Sequence, residues 1–145
     1  MTKGFGDSKI SKKRKIDSRY LILYNQEQKA KALVKKGLIQ DAKQIYIQLL
    51  EQQYQNHEIL LNLGLIELQS NQISQAIIHF EKAKSIKIDN QIELDILLIQ
   101  CNSKLKNYSR AKDIFEMSIK RNPKSELLIY TYAEIEKERY NFKEV

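Results

Sequence analysis

The 145-residue chain has no tryptophan, a single cysteine, a single proline and only four glycines. All-β sandwiches and barrels need frequent turns, so this scarcity of Gly and Pro argues against them. One cysteine cannot close an internal disulfide, and the fold therefore does not depend on an oxidising compartment. No apolar run approaches the roughly 18 residues that span a bilayer. The first 19 residues hold no hydrophobic stretch resembling a secretory signal. A glycine-rich phosphate loop is missing as well, since the only closely spaced pair, Gly4 and Gly6, lies near the N-terminus. What remains is a chain with 42% apolar residues, enough for a packed core. These features predict one soluble, cytoplasmic domain with no membrane insertion.

Charge of one sign is concentrated at one end. The whole chain carries a net charge of +7, with 25 basic and 18 acidic residues. Residues 1–19 hold seven basic residues against Asp7 and Asp17, leaving +2 for the remaining 126. So polar a segment cannot bury enough surface to offset its ordering entropy. Residues 1–17 are accordingly expected to be a disordered basic leader, with helical patterning starting at Ser18 as N-cap and a helical domain over 18–145. The run Lys12, Lys13, Arg14 and Lys15 suits a solubilising leader, a nuclear-import signal, or attraction to phosphate backbone or anionic lipid. Nucleic acid is a candidate partner only through this tail, because no base-reading element accompanies it.

Beyond the tail, apolar residues recur at helical spacing between short polar breaks. Segment 57–90 places Leu60, Leu63 and Gly64 before a Ser70-Asn71 break, then Ala76, Phe80 and Ala83. Asn tolerates left-handed backbone and suits that helix end. Upstream, Ala30 and Leu33 precede Lys36-Gly37, followed by Ala42, Tyr46 and Leu49. Downstream, Asn107-Tyr108 leads to Ala111, Phe115 and Ser118, and Ile129, Tyr132 and Ala133 open a fourth unit. The small residues Ala42, Ala76 and Ala111 are 34 and 35 positions apart, and Tyr46, Phe80 and Phe115 keep the same separations. Helices are expected near 18–36, 39–53, 57–69, 73–87, 91–105, 108–121 and 125–140. One extra residue is expected between Ile92 and Ala111, which leaves the register of the third unit open by one.

This layout resembles the tetratricopeptide repeat family, a helix-turn-helix of 34 residues with small residues where the helices touch. The resemblance covers residues 23–145, about three repeats and a partial fourth. Leu63-Gly64 stands at the family's Leu-Gly pair, whereas Ala30, Leu98 or Ile99, and Ala133 occupy the Gly position elsewhere. Only the third unit ends in proline, Pro123. The stretch from Ser109 to Phe142 also looks like the half-a-TPR variety of RNA-processing assemblies. The resemblance implies an all-α, right-handed α-solenoid of about seven helices. Glu134, Glu136, Lys137, Glu138 and Arg139 suit the polar face of a capping helix, and the last helix reads equally well as the cut end of a longer array.

Catalytic chemistry has little footing. His57 and His79 fall in different helices without ligand partners at helical spacing, and both are expected to be exposed. Cys101 sits among Ile96, Leu97, Leu98 and Ile99 and reads as a small core residue. No cofactor or metal is expected, and the chain is expected not to be an enzyme.

The resemblance places a partner groove along the first helix of each repeat. Carried onto this sequence, the groove residues are Lys31 and Lys35 (with Tyr24, Glu27 and Gln28) in the first unit, and Leu61, Asn62, Leu65 and Gln69 (with Glu58) in the second. Asp95 or Ile96 and Ile99 or Gln100 follow in the third, then Tyr130 and Glu134 (with Thr131 and Lys137) in the fourth. Asn62 matches the central Asn of chaperone-adaptor repeats, but Glu27, Lys31, Ile92 or Glu93, and Ile96 or Leu97 would not hold a carboxylate. Leu61, Leu65 and Leu68 form a second apolar stripe, explained either by burial or by an apolar partner groove. The expected function is a scaffold binding a protein or peptide partner. The alternatives are the substrate-recognition arm of a glycosyltransferase or sulfotransferase, and an RNA-associated scaffold using the basic tail. Nothing in the sequence fixes the oligomeric state.

Overall fold

Breaks in the hydrophobic pattern become helix ends. The computed structural model describes residues 7–86, 89 and 91–141, with side chains from residue 18 onward. Among the described residues there are seven helices and no strand: α1 (Asp7–Lys35), α2 (Ile39–Glu51), α3 (His57–Gln69), α4 (Ile73–Ile86), α5 (Ile92–Lys104), α6 (Tyr108–Arg121) and α7 (Glu126–Asn141). The backbone divides into two compact units, Met1–Gln55 and Asn56–Val145. In the first, α1 packs on α2. In the second, α4 lies against α3 and α5, α6 against α5 and α7, and α5 also meets α7. This is the all-α helical-repeat architecture the spacing predicts.

Four helices end in the same way. The chain turns left-handed at Gly37, Gln53, Asn71 and Lys106, with φ of 78°, 58°, 58° and 60°. In each case the next amide donates back to the carbonyl five residues earlier: Leu38 to Leu33, Tyr54 to Leu49, Gln72 to Glu67 and Asn107 to Asn102, at 2.8–2.9 Å. These closures satisfy carbonyls that the helix leaves orphaned. Gly37 and Asn71 adopt the conformation readily, while at Lys106 a Cβ crowds the following carbonyl. Lys106→Gly is therefore expected to raise stability by about 0.5–1 kcal/mol, read as a thermal midpoint about 2–4 °C higher.

The small-residue and aromatic pattern forms the seams between paired helices. Ala42, Tyr46, Ala76, Phe80 and Ala111 are fully buried. A Cβ added to Gly64 would lie 2.5 Å from Cε1 of Phe80, so the glycine exists to admit that ring. The third pair solves the same contact differently. Ile99 stands 35 residues after Gly64 and is itself fully buried. Phe115, the counterpart of Phe80, is only half-buried and stacks on Tyr132 with ring centroids 4.2 Å apart.

Two expectations change. α1 starts at Asp7, so Ser18 is inside a helix rather than at its cap, and residues 7–17 carry helical backbone where a disordered leader was expected. From Asp7 to Lys36 the sequence has neither Gly nor Pro and is rich in Lys, Arg, Ile and Leu, so a helix packed at 23–35 can propagate backwards. Residues 1–6 of the expected leader lie outside the described residues. The extra residue also moves. α3 and α5 each have 13 residues and start 35 apart, so the insertion falls between Ala83 and Ile92, before α5 rather than after it. With that register, the third-unit residues equivalent to Leu61 and Leu65 are Ile96, itself buried at 8% exposed, and the exposed Gln100. Asp95 is 1% exposed and Ile99 is fully buried.

Candidate functional site

Helices α3, α5 and α7 begin at His57, Ile92 and Glu126. Equal distances from those starts put Leu61, Ile96 and Tyr130 at one position, Leu65, Gln100 and Glu134 one turn on, and Gln69, Lys104 and Glu138 a turn further. Between α5 and α7 this face opens into a groove of about 420 Å³. Gln100, Ser103 and Lys104 form one wall, Tyr130, Glu134 and Glu138 the other, and Thr131 and Ile135 reach in from its buried side. Thr131 Oγ1 donates to the Leu127 carbonyl at 2.8 Å, so its hydroxyl is spent on its own helix. Tyr130 is 64% exposed and presents its ring at the rim of the groove. On α3 the equivalent positions carry half-buried Leu61, Asn62 and Leu65 and exposed Gln69.

The sequence-derived residues thus divide. Tyr130 and Glu134 line the α5–α7 groove, while Leu61, Asn62, Leu65 and Gln69 occupy the corresponding face of α3. Lys31 and Lys35 belong to α1 in the other unit, where Lys31 Nζ sits 2.9 Å from Glu27 Oε1. Lys35 is exposed. Lys12, Lys13, Arg14 and Lys15 lie on the α1 backbone, and their side chains are outside the described set. Ser103, Lys104 and Glu138 were missed, although the fixed offset from Gln69 pointed to the last two.

Neither histidine is the exposed residue expected. His79 Nδ1 is 2.6 Å from Glu67 Oε2, and the two side chains are 15% and 7% exposed. His57 is half-buried with Nδ1 3.3 Å from the Ala83 carbonyl. Both rings close the α3–α4 seam, and their partners lie 12 and 26 residues away, beyond any helical spacing. Cys101 is fully buried, and burial pushes its thiol up to about 11, opposed only by the nearby Lys104 charge. It is a core residue with little thiolate near neutrality.

Buried acids are the part that periodicity did not reveal. Glu27, 3% exposed, accepts a hydrogen bond from the Tyr54 hydroxyl at 3.0 Å. Burial and this neighbouring carboxylate both push the Tyr54 phenol up, so it stays a donor. Asp95 is held by Lys84 Nζ at 2.6 Å and Arg121 Nη2 at 3.0 Å, which ties α4, α5 and α6 together. Burial and the adjacent Glu136 push the Tyr132 phenol to about 12, so it too stays neutral beside Phe115. Among the described residues no three His, Cys, Asp or Glu side chains converge as a metal site requires. No described helix is long and apolar enough to cross a membrane.

Comparison with known proteins bears on the two helix pairs of this unit. Residues 57–90, spanning α3 and α4, match a tetratricopeptide repeat model. Residues 97–125, from within α5 through α6, match a second tetratricopeptide repeat model. No curated protein sequence matches the chain. The two tandem matches, on helix pairs that pack through α4 and α5, show tetratricopeptide repeats over residues 57–90 and 97–125.

Proposed function

We propose that the chain is a protein–protein interaction scaffold that holds a partner's extended segment or helix along α3, α5 and α7. Its tetratricopeptide repeats support a protein-binding role. The observation that carries the finer reading is the common register: half-buried Leu61 and Leu65 stand at the same helix positions as Tyr130 and Glu134 of the α5–α7 groove. Apolar positions at one end and polar ones at the other suit an amphipathic ligand, with alternate side chains anchored and the backbone left to Asn62 and Gln100. Stacked helices are already ordered, so little ordering cost falls on the scaffold when a partner docks.

The test uses a random library of peptides about twelve residues long, selected on the full chain and measured by fluorescence anisotropy. Leu61→Ser with Leu65→Ser, and separately Tyr130→Ala, should each weaken selected peptides about tenfold or more, roughly 1.4 kcal/mol, at unchanged helicity. Peptides that bind both variants as tightly as the parent would place recognition elsewhere. Loss of helicity in the leucine pair would make those two residues core, leaving Tyr130→Ala to decide.

A further inference from the structure

We propose that the N-terminal half of α1 is a docking arm for anionic lipid surfaces. α1 has 29 residues and its partner α2 only 13, about 43 Å against about 20 Å at 1.5 Å per residue. Among the α1 residues whose side chains are described, from Ser18 on, the buried ones are Leu23, Glu27 and Ala30, which pack in the part of the helix that meets α2. Immediately before them Tyr20, Leu21 and Ile22 are 60%, 56% and 59% exposed, and Tyr24 is 44% exposed. Tyr20 makes an edge contact with Tyr54, at 5.8 Å between centroids, and still keeps most of its surface in solvent. A helix of a self-contained pair turns polar side chains outward, and this one turns out two tyrosines and two aliphatics.

The charge on the same helix selects the occupant. Lys9, Lys12, Lys13, Arg14, Lys15 and Arg19 lie on α1 against Asp7 and Asp17. Clusters of four to eight basic residues on a helix attract anionic headgroups, with a contribution from each residue near the surface. Leucine and isoleucine gain by entering the boundary between headgroups and acyl chains, and tyrosine is at home at headgroup level. A nucleic acid would use the basic run but offers nothing to Leu21 and Ile22, because phosphate and sugar contacts are polar. The aliphatic pair beside the basic run therefore favours lipid. No described helix spans a bilayer, so the arm lies in the interface.

Flotation of the full chain with two kinds of vesicle tests this, one of phosphatidylcholine alone and one of phosphatidylcholine with phosphatidylserine at about 7:3. The chain should float with the mixed vesicles only, and about tenfold less at roughly 0.5 M salt than at 0.1 M. K12E/K13E/R14E/K15E should abolish flotation. L21S/I22S should reduce it about tenfold at unchanged helicity, since both side chains are already in solvent. Equal binding to both vesicles, no binding to either, or mixed-vesicle binding indifferent to L21S/I22S would each overturn the proposal. A duplex RNA of about 20 base pairs bound more tightly than the mixed vesicles, and equally by L21S/I22S, would overturn it in favour of a phosphate polymer.

Discussion

Replacing Gly64 with alanine is expected to lower the stability of the α3–α7 unit by about 2 kcal/mol, and with valine by about 4 kcal/mol. Two effects compete. Alanine is better than glycine inside a helix by about 1 kcal/mol, which alone would make the change stabilising. Against it stands the new methyl, which would lie 2.5 Å and 2.7 Å from two ring carbons of Phe80. That ring is fully buried and has no flexible end to move aside. Overpacking of this kind costs about 1–3 kcal/mol, and a collision with an enclosed ring belongs at the upper end. The clash wins, and the thermal midpoint should fall on the order of 10 °C for alanine. Phe80→Leu in the same chain should recover part of the loss, giving a coupling of about 1 kcal/mol in a double-mutant cycle. An alanine variant as stable as the parent would mean that the Phe80 ring can leave the seam for a half-buried setting such as the one Phe115 occupies against Tyr132.

That contrast explains how much of the fold was legible. Spacings of 34 and 35 between Ala42, Ala76 and Ala111 located the helix pairs, because each alanine sits where two helices touch. The left-handed turn at Asn71 was legible for the same local reason. Helix α1 was misjudged upstream of Ser18. Composition weighs charge and burial, whereas the backbone follows helix propensity uninterrupted by Gly or Pro from Asp7 onward. The candidate site was legible at Tyr130 and Glu134 and blurred in α5, where one inserted residue before Ile92 shifts every position. His79 with Glu67, and Asp95 with Lys84 and Arg121, were out of reach. Each pairing joins different helices, and nothing in a helical period announces a partner 11 to 26 residues away. Asp95 did leave one signal, an acid inside the apolar run from Leu94 to Ile99.

Removing both cations around Asp95 should cost more than removing the carboxylate. Asp95 is 1% exposed, whereas the side chains of Lys84 and Arg121 are 25% and 46% exposed. With Asp95→Asn the two cations are freed and can turn to water, so the loss is about 1–2 kcal/mol. With Lys84→Ala and Arg121→Ala together, the carboxylate stays buried without a counter-charge, and the loss is about 3–5 kcal/mol. Arg121→Ala alone should cost about 1 kcal/mol, because a half-exposed pair is screened by solvent. Asp95→Leu combined with Lys84→Met and Arg121→Met removes all three charges at once, and that variant should return close to the parent stability. Urea midpoints at constant slope rank the four variants. If Asp95→Asn proves costlier than loss of both cations, the ion pairs contribute more than their desolvation takes away. The ranking bears on binding as well, because Asp95 precedes Ile96 directly and Gln100 by little more than one turn of α5. A loosened α5 moves one wall of the α5–α7 groove, so the variant lacking both cations should also weaken the selected peptides, while the all-apolar triple variant keeps them.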